Sequence, residues 1–349
     1  MKNERMDRLF ENLPSDVAVF INGYANIFYY SGFTSADAYL LLTRDERFII
    51  TDSRYFTQAK IEAPDFTLID IKKGWKEIFG NIKETVIAFE EDKITYGEYN
   101  DVSNMAKQEF LPSQSLIDMP RRNKTRNEIE IIRQAEEIGD KAFIYLLEKL
   151  HTGMTEREAA RLLENKMKEL GAKTTSFDTI SASGVRSCMP HGVASDKVIE
   201  KGDFLTLDFG CIYKGYCSDM TRTVVFGTPN SRQTEIYDIV LRAQTEAING
   251  LTLGMNCSDA DKIARDIIAY NGYGECFTHS LGHSVGIEIH ESPNFSPKSH
   301  DVLEEGNVLS VEPGIYIDGE LGVRIEDIIA VVEGEIVNLT HSPKELIVI

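Results

Sequence analysis

Positive charge is scarce in this chain. Its 349 residues include 37 Lys and Arg against 56 Asp and Glu, a formal net charge of −19. That balance excludes a nucleic-acid binder, since phosphate recognition needs clustered basic residues. It also argues against docking on an anionic membrane surface. Long apolar runs are missing too: nothing approaches the ~20 residues of a membrane-spanning helix. The opening stretch MKNERMDRLFENL spreads charge throughout and has no apolar core segment, so no secretory signal is read there. Cysteine is sparse, with Cys188, Cys211, Cys217, Cys257 and Cys276 forming an odd set without a CxxC pair. In a long chain that pattern fits free thiols in a reducing cytoplasm. Neither GxGxxG nor a GxxxxGK phosphate loop occurs, which leaves a nucleotide-binding reading without a motif.

What is present is the balance of a globular protein with a sizeable core: 42% hydrophobic and 27% charged residues. At ~150 residues per domain the length suggests two domains. In the first third, 17–21, 39–43, 47–51, 66–71 and 86–89 read as strands, and 54–63, 74–84 and 99–110 as helices. This is an α/β pattern. Pro120 is read as the stop of a preceding strand, and the basic polar stretch around MPRRNKTRNEIE as a boundary. The expected domains are therefore 1–122 and 123–349. In the second, an amphipathic helix is expected from Asn127 to about Leu150. Another opens at Thr155, with Glu158 completing a capping box and Gly171 closing it. Two more follow near 232–249 and 258–271.

The second domain repeats itself. GDFLTLDFG (202–210) matches GNVLSVEPG (306–314), aligning Asp208 with Glu312, and the helix pairs recur at nearly the same offset. Two similar halves about a pseudo-twofold axis are expected.

Each half carries an acidic hairpin. In TLDFGCIYKGYCSDMTRTVVF (206–226), Lys214-Gly215 is a plausible turn, and if the two-residue loop is Tyr213-Lys214, Asp208 falls opposite Asp219. In VEPGIYIDGELGVRIEDIIAVV (311–332), a three-residue loop centred on Gly319 sets Glu312 opposite Glu326, with Arg324 on the same face. Opposed residues have Cβ atoms ~4.5–5.5 Å apart, so such acid pairs repel unless a cation lies between them. Of seven histidines, His191 sits in a Pro-His-Gly motif, and His279, His283 and His290 fall in HSLGHSVGIEIHE. Four carboxylates and one imidazole suit two divalent cations, with Mn²⁺, Co²⁺, Fe²⁺ or Zn²⁺ favoured by oxygen-rich ligation. A two-metal centre of that kind hydrolyses an amide or ester.

At these residues the sequence resembles the pita-bread metallopeptidases, the creatinase, prolidase and methionine aminopeptidase family. The motifs are SFDTISASGVRSCMPHG, GDFLTLDFGCIYKGYCSDMTRT, HSLGHSVGIEIHE, VLSVEPGIY and GVRIED. TDSRYFTQA (51–59) extends the likeness to the first domain and points to the Xaa-Pro branch, aminopeptidase P or Xaa-Pro dipeptidase. The resemblance implies an α/β N-terminal domain of the creatinase (ribonuclease H-like) type before an α+β pita-bread domain with a pseudo-twofold internal repeat. It implies five metal ligands, Asp208, Asp219, His283, Glu312 and Glu326, with Asp219 and Glu326 shared by both ions. Mn²⁺ is the first choice of metal. Glu312 would also be the general base. His191 and His290 would handle the scissile amide and its developing negative charge. His279 would assist proton transfer and proline-side binding, and Arg324 would anchor the groups behind the ligands. Ser284 departs from the glycine usual after the ligand histidine. The expected substrates are short proline-containing peptides. No nucleic acid or membrane partner is expected, and the chain is expected to form a cytoplasmic homodimer. In the first domain, Asp37 is a candidate contact for the substrate amine, and Arg54 is expected in a buried structural ion pair. Two other readings are a metal-free creatinase-like C–N hydrolase and a catalytically inactive pita-bread peptide-binding module. Both call for lost carboxylate ligands, and none is lost here.

Overall fold

The computed structural model describes residues 2–349, with side chains from residue 4 onward, and separates into two compact units, Met1–Arg121 and Arg122–Ile349. The first is built on a six-stranded mixed sheet. Its strands run in the order Thr67–Asp70, Arg47–Thr51, Tyr39–Leu42, Val17–Ile21, Val86–Phe89 and Glu109–Pro112. Strand Tyr39–Leu42 is antiparallel to both neighbours, while the outer pairs are parallel. Ala18, Phe20, Leu41, Ile50, Ile87 and Phe89 fill one side of the sheet together with Ile78 and Phe79.

Several expectations for this unit need correction. Helices Lys2–Glu11 and Tyr24–Ser31 were not expected; the second is rich in aromatics, which favour strands in isolation. The helix expected over 99–110 begins earlier, at Tyr96, because Thr95 and Glu98 form a capping box. It ends at Met105, and Glu109–Pro112 becomes an edge strand beside Val86–Phe89. The segment before Pro120 is helical, Gln114–Arg122, with the proline inside it. The Tyr29 hydroxyl donates to the Pro120 carbonyl at 2.8 Å and the Tyr30 hydroxyl to the Ile117 carbonyl at 2.7 Å. Tertiary partners thus serve carbonyls in the turn where proline disturbs the helix ladder.

The second unit shows the repeat in its hydrogen bonds. Gly153 N–H donates to Ile199 O at 2.9 Å and Gly254 N–H to Leu303 O at 2.8 Å. Ile199 N–H donates to Met154 O at 2.8 Å and Leu303 N–H to Met255 O at 2.9 Å. Each half has its own apolar core under a helix pair. Arg126–Leu147 and Glu156–Glu169 cover one; Ser231–Gly250 and Cys257–Tyr270 cover the other. Thr155 and Glu158 form the expected capping box.

The two hairpins differ in how closely they follow expectation. In the first, the two-residue loop is Lys214-Gly215, with φ of 49° and 88°. Both values are positive, as a primed hairpin turn requires. Pairing therefore moves by two residues from the expected register, and Asp208 lies opposite Thr221 rather than Asp219. Because side chains alternate with period two, Asp219 stays on the same face as Asp208. In the second, Ile317 pairs with Leu321 across a three-residue loop, and Gly314 pairs with Arg324. Val311 pairs with Asp327 in the same register on the far side of a short interruption, so Glu312 and Glu326 stand across from each other as expected.

Candidate metal centre

The carboxylates sit where strands break. Asp208 lies near the end of strand Phe204–Phe209, and Asp219 in the irregular link before strand Met220–Val225. Glu312 follows strand Val308–Val311, and Glu326 occupies the link between Leu321–Arg324 and Asp327–Val332. His283 is the middle residue of strand Gly282–Ser284. That strand comes very close to its neighbour: a Cβ on Gly282 would collide with the Ser310 carbonyl. The close approach lets Ser310 Oγ accept from His283 N–H at 3.0 Å and donate to Glu312 Oε1 at 3.1 Å.

The five side chains converge. His283 Nε2 is 3.3 Å from Glu312 Oε1 and 3.6 Å from Asp219 Oδ2. Ligand atoms of Asp219, His283 and Glu326 all lie within 4.8 Å of one another. Thr221 Oγ1 donates to Glu326 Oε2 at 2.7 Å. Arg324 Nη2 donates to Asp208 Oδ2 at 2.6 Å, and its Nε donates to Thr221 Oγ1 at 3.0 Å. The remaining oxygens are what matter. Asp208 Oδ1, Asp219 Oδ1 and Glu326 Oε1 are buried without a hydrogen-bond partner. Buried carboxylate oxygens are rarely left so, because desolvation then goes uncompensated.

Protonation behaviour agrees. Burial, then the neighbouring carboxylates, pushes Asp219 and Glu326 well above the ordinary carboxylate range. Burial chiefly raises Glu312, to about 7. Burial lowers His283, which favours a neutral ring. Its Nδ1 lies 3.3 Å from the Ser284 carbonyl, so the ring proton belongs there and the Nε2 lone pair faces the carboxylates. A lone pair aimed at acidic oxygens is repulsive unless a cation sits among them. The donor set, four carboxylates and a neutral imidazole, fits divalent cations of the oxygen- and nitrogen-binding kind.

The other histidines flank this cluster. His279 Nδ1 is 2.8 Å from the Ser280 carbonyl and its Nε2 is 2.9 Å from the Tyr316 hydroxyl. Burial, and next the Arg324 charge, lowers it to about 4. Arg324 Nη1 donates to the same hydroxyl at 2.7 Å. Tyr316 therefore accepts from Arg324 and donates to neutral His279. His290 packs edge-on to His283 with ring centroids 4.4 Å apart, and burial followed by the His283 and His191 charges lowers its pKa. His191 is exposed beside the cluster, and the carbonyl of the preceding Pro190 accepts from Arg324 Nη1 at 3.2 Å.

Asp37 belongs to the first unit. Its carboxylate takes a short hydrogen bond from the Tyr55 hydroxyl, and it lines a cavity of about 380 Å³ with Asn22, Tyr39, Asp52, Lys93 and Glu98. Arg54 does form an ion pair, with Asp52 at 2.7 Å, but its side chain is 71% exposed, so the pair is on the surface rather than buried.

Three contributors went unread in the sequence. Tyr316 ends the VLSVEPGIY motif, yet nothing local marks its link to Arg324 and His279. Thr221 looks like any β-branched strand residue. Glu136, on the helix Arg126–Leu147, accepts from Asp219 N–H at 2.9 Å and from Thr340 Oγ1 at 3.0 Å, and burial raises it to about 8. An isolated helical glutamate gives no signal for such a contact.

Comparison with known proteins places this geometry. Residues 130–333 match metallopeptidase family M24, and residues 5–122 match the creatinase/prolidase N-terminal domain. The chain belongs to the M24 metallopeptidases, with a creatinase-type domain preceding a pita-bread domain. It is 42% identical to the Xaa-Pro dipeptidase of Pyrococcus furiosus over 350 residues, 99% of each chain. It superposes on the Xaa-Pro dipeptidase of Bacillus anthracis with a TM-score of 0.96 and 41% identity over the whole of both chains. Against the X-Pro aminopeptidase of Thermotoga maritima the TM-score is 0.89 at 39% identity, covering 95% of this chain and 97% of the other.

Proposed function

We propose that this chain is a divalent-metal-dependent exopeptidase that hydrolyses the Xaa-Pro bond and releases the N-terminal residue. Dipeptides are the favoured substrates. The observation that carries the reading is the buried cluster of Asp219 and Glu326 with His283, whose ligand atoms lie within 4.8 Å of one another, together with the unpartnered buried oxygens on Asp219, Glu326 and nearby Asp208. The family supports the metal dependence, and the Xaa-Pro dipeptidases that match the chain from end to end support the substrate class.

Asp208, Asp219, His283, Glu312 and Glu326 would hold the metal, two ions with Mn²⁺ preferred and Co²⁺, Zn²⁺ or Fe²⁺ as alternatives. When bound, such ions activate water and polarise a carbonyl. This chain's own groups do the rest. Glu312, at the edge of the ligand set, is assigned as the general base. Arg324 pairs with Asp208 and fixes the Tyr316 hydroxyl, which in turn hydrogen-bonds Nε2 of His279. His290 and His191 are assigned to the scissile amide. An Xaa-Pro bond offers no N–H, so a site that grips carbonyl and carboxylate oxygens suits it. The unit Met1–Arg121 is assigned to substrate positioning, with Asp37 on the substrate amine, and to homodimer formation. On this reading Asp37→Asn raises KM, and light scattering returns twice the chain mass.

The test compares Ala-Pro with Ala-Pro-Xaa peptides on metal-reconstituted protein, with Asp219→Ala as control. Turnover confined to Ala-Pro fits the dipeptidase assignment. Efficient cleavage of the longer peptide moves the chain to the aminopeptidase type, as the Thermotoga maritima likeness would allow. Failure to cleave both Ala-Pro and the longer peptides in metal-loaded protein overturns the proposal.

A further inference from the structure

Between strand Gly282–Ser284 and strand Glu291–Phe295 the chain forms a loop that carries His290. A buried ion pair lies under this loop. Lys124 Nζ is 3.0 Å from Glu291 Oε2, and the two side chains are 2% and 5% exposed. The second oxygen, Glu291 Oε1, accepts from the N–H groups of Ile287 at 3.1 Å and Glu288 at 3.2 Å. Gly286 rests directly on the carboxylate, where a Cβ would collide with it. Lys124 is itself fixed. Its N–H donates to the Gly306 carbonyl at 2.7 Å, and its Nζ donates to Ser284 Oγ at 2.8 Å. The Ser284 hydroxyl then donates to the Val308 carbonyl at 2.8 Å. Ser284 is the residue that departs from the family's glycine, and it supplies the hydroxyl joining Lys124 to the strand ahead of Glu312.

A charge pair taken out of water persists only with close opposite charge and added hydrogen bonds; here the charges are 3.0 Å apart, Glu291 Oε1 takes two loop amides and Lys124 Nζ donates to Ser284. A buried polar network of this kind also selects one arrangement of the chain around it. The arrangement selected here sets the His290 ring nearly perpendicular to His283 at 4.4 Å. The amides of Ile287 and Glu288 are tied to Glu291 on one side, Gly286 N–H donates to the Glu288 carbonyl at 3.1 Å, and the Gly286 carbonyl accepts from Cys217 N–H at 2.7 Å on the other. We propose that Lys124, Ser284 and Glu291 are a positioning unit that holds His290 at the centre and acts on turnover only through that ring. The proposal rests on the assignment of His290 to the scissile amide.

A double-mutant cycle in the full-length, metal-loaded protein tests it. Glu291→Gln lowers kcat/KM for Ala-Pro at least tenfold in the unaltered background and less than twofold in a His290→Asn background. Glu291→Gln leaves the Lys124 charge buried and could impair folding. Lys124→Met with Glu291→Gln therefore runs beside it, removing both charges while keeping an acceptor for the loop amides. Ser284→Gly removes only the hydroxyl link and gives a two- to fivefold loss that also vanishes without His290. Hydrogen exchange supplies a readout independent of turnover: amides of 286–288 exchange at least tenfold faster in Glu291→Gln, while helix Ser231–Gly250 is unchanged. Equal losses in both backgrounds, or unchanged kcat/KM in folded variants, overturn the proposal. If the unaltered chain fails to cleave Ala-Pro, the Xaa-Pro reading fails instead, and the exchange comparison still decides whether the ion pair holds the loop.

Discussion

Single residues set the electrostatic problem this unit solves. Arg324 faces a cluster of four acids and donates a hydrogen bond to Asp208 among them, which leaves the others to be balanced by protons or, on the proposed reading, by divalent cations. Asp219→Asn removes one charge from the cluster and should reduce metal occupancy at least tenfold, read by elemental analysis after dialysis. Retained occupancy would place the ions elsewhere. Protonation competes with metal: Glu312 titrates near 7 in the metal-free protein. Metal affinity should therefore rise with pH from 5 to 8 and binding should release protons, measurable by calorimetry in buffers of different ionisation enthalpy. Tyr316→Phe removes one hydroxyl and leaves all five proposed ligands in place. We expect about a tenfold fall in kcat with metal affinity unchanged, since a buried hydrogen bond contributes ~1–3 kcal/mol when its partner is stranded. An unaltered kcat would reduce Tyr316 to packing. The acids and glycine-flanked histidines were legible in sequence because their type and spacing are unusual. Tyr316, Thr221 and Glu136 were not, because their contacts join distant segments; Glu136 meets Asp219 across 83 residues.

At the scale of elements, the centre is made by two hairpins and one short strand. Both hairpins were legible from turn residues, but only the second in the right register. Lys214-Gly215 reads as a turn in the sequence and is the loop, but working the register from a Tyr213-Lys214 loop shifts pairing by two residues. The shift leaves every side chain on its face, so the acidic cluster survived the error. A one-residue error would not have been so forgiving. In the first unit, the segment 24–31 folds as a helix against its aromatic composition because buried partners hold it; Asn26 Nδ2 donates to Glu90 at 2.7 Å and to Asp118 at 2.6 Å. Such tertiary support is invisible to periodicity. Strand Gly282–Ser284 offers the sharpest test at this scale. Gly282→Ala places a methyl group against the Ser310 carbonyl and should destabilise the protein by roughly 1–3 kcal/mol through a forced backbone shift. It should also weaken metal binding as His283 moves. Thermal unfolding equal to the parent protein would contradict the close approach.

For the whole molecule, the acidic centre makes stability depend on pH and metal together. Glu312 and Glu136 have folded pKa values raised to about 7 and about 8, so in the folded metal-free protein these two groups bind protons more tightly than in the unfolded chain. The stability these two groups contribute is greatest below the unfolded carboxylate range and is lost as pH rises through those folded values. For Glu312 alone the loss is about 3 kcal/mol. Metal-free protein should lose on the order of 5–10 °C in Tm between pH 5 and pH 8, and divalent metal should restore most of it at the upper end. The central claim is that buried acids from two matching halves, with His283, hold divalent cations that make the chain an Xaa-Pro peptidase. The most direct measurement is titration of metal-stripped protein with Mn²⁺, following bound metal and Ala-Pro hydrolysis in the same samples. The account expects hydrolysis to appear in step with metal bound at Asp208, Asp219, His283, Glu312 and Glu326, and both to vanish in Asp219→Ala. Saturable metal binding without hydrolysis, or hydrolysis that persists in stripped protein, would contradict it.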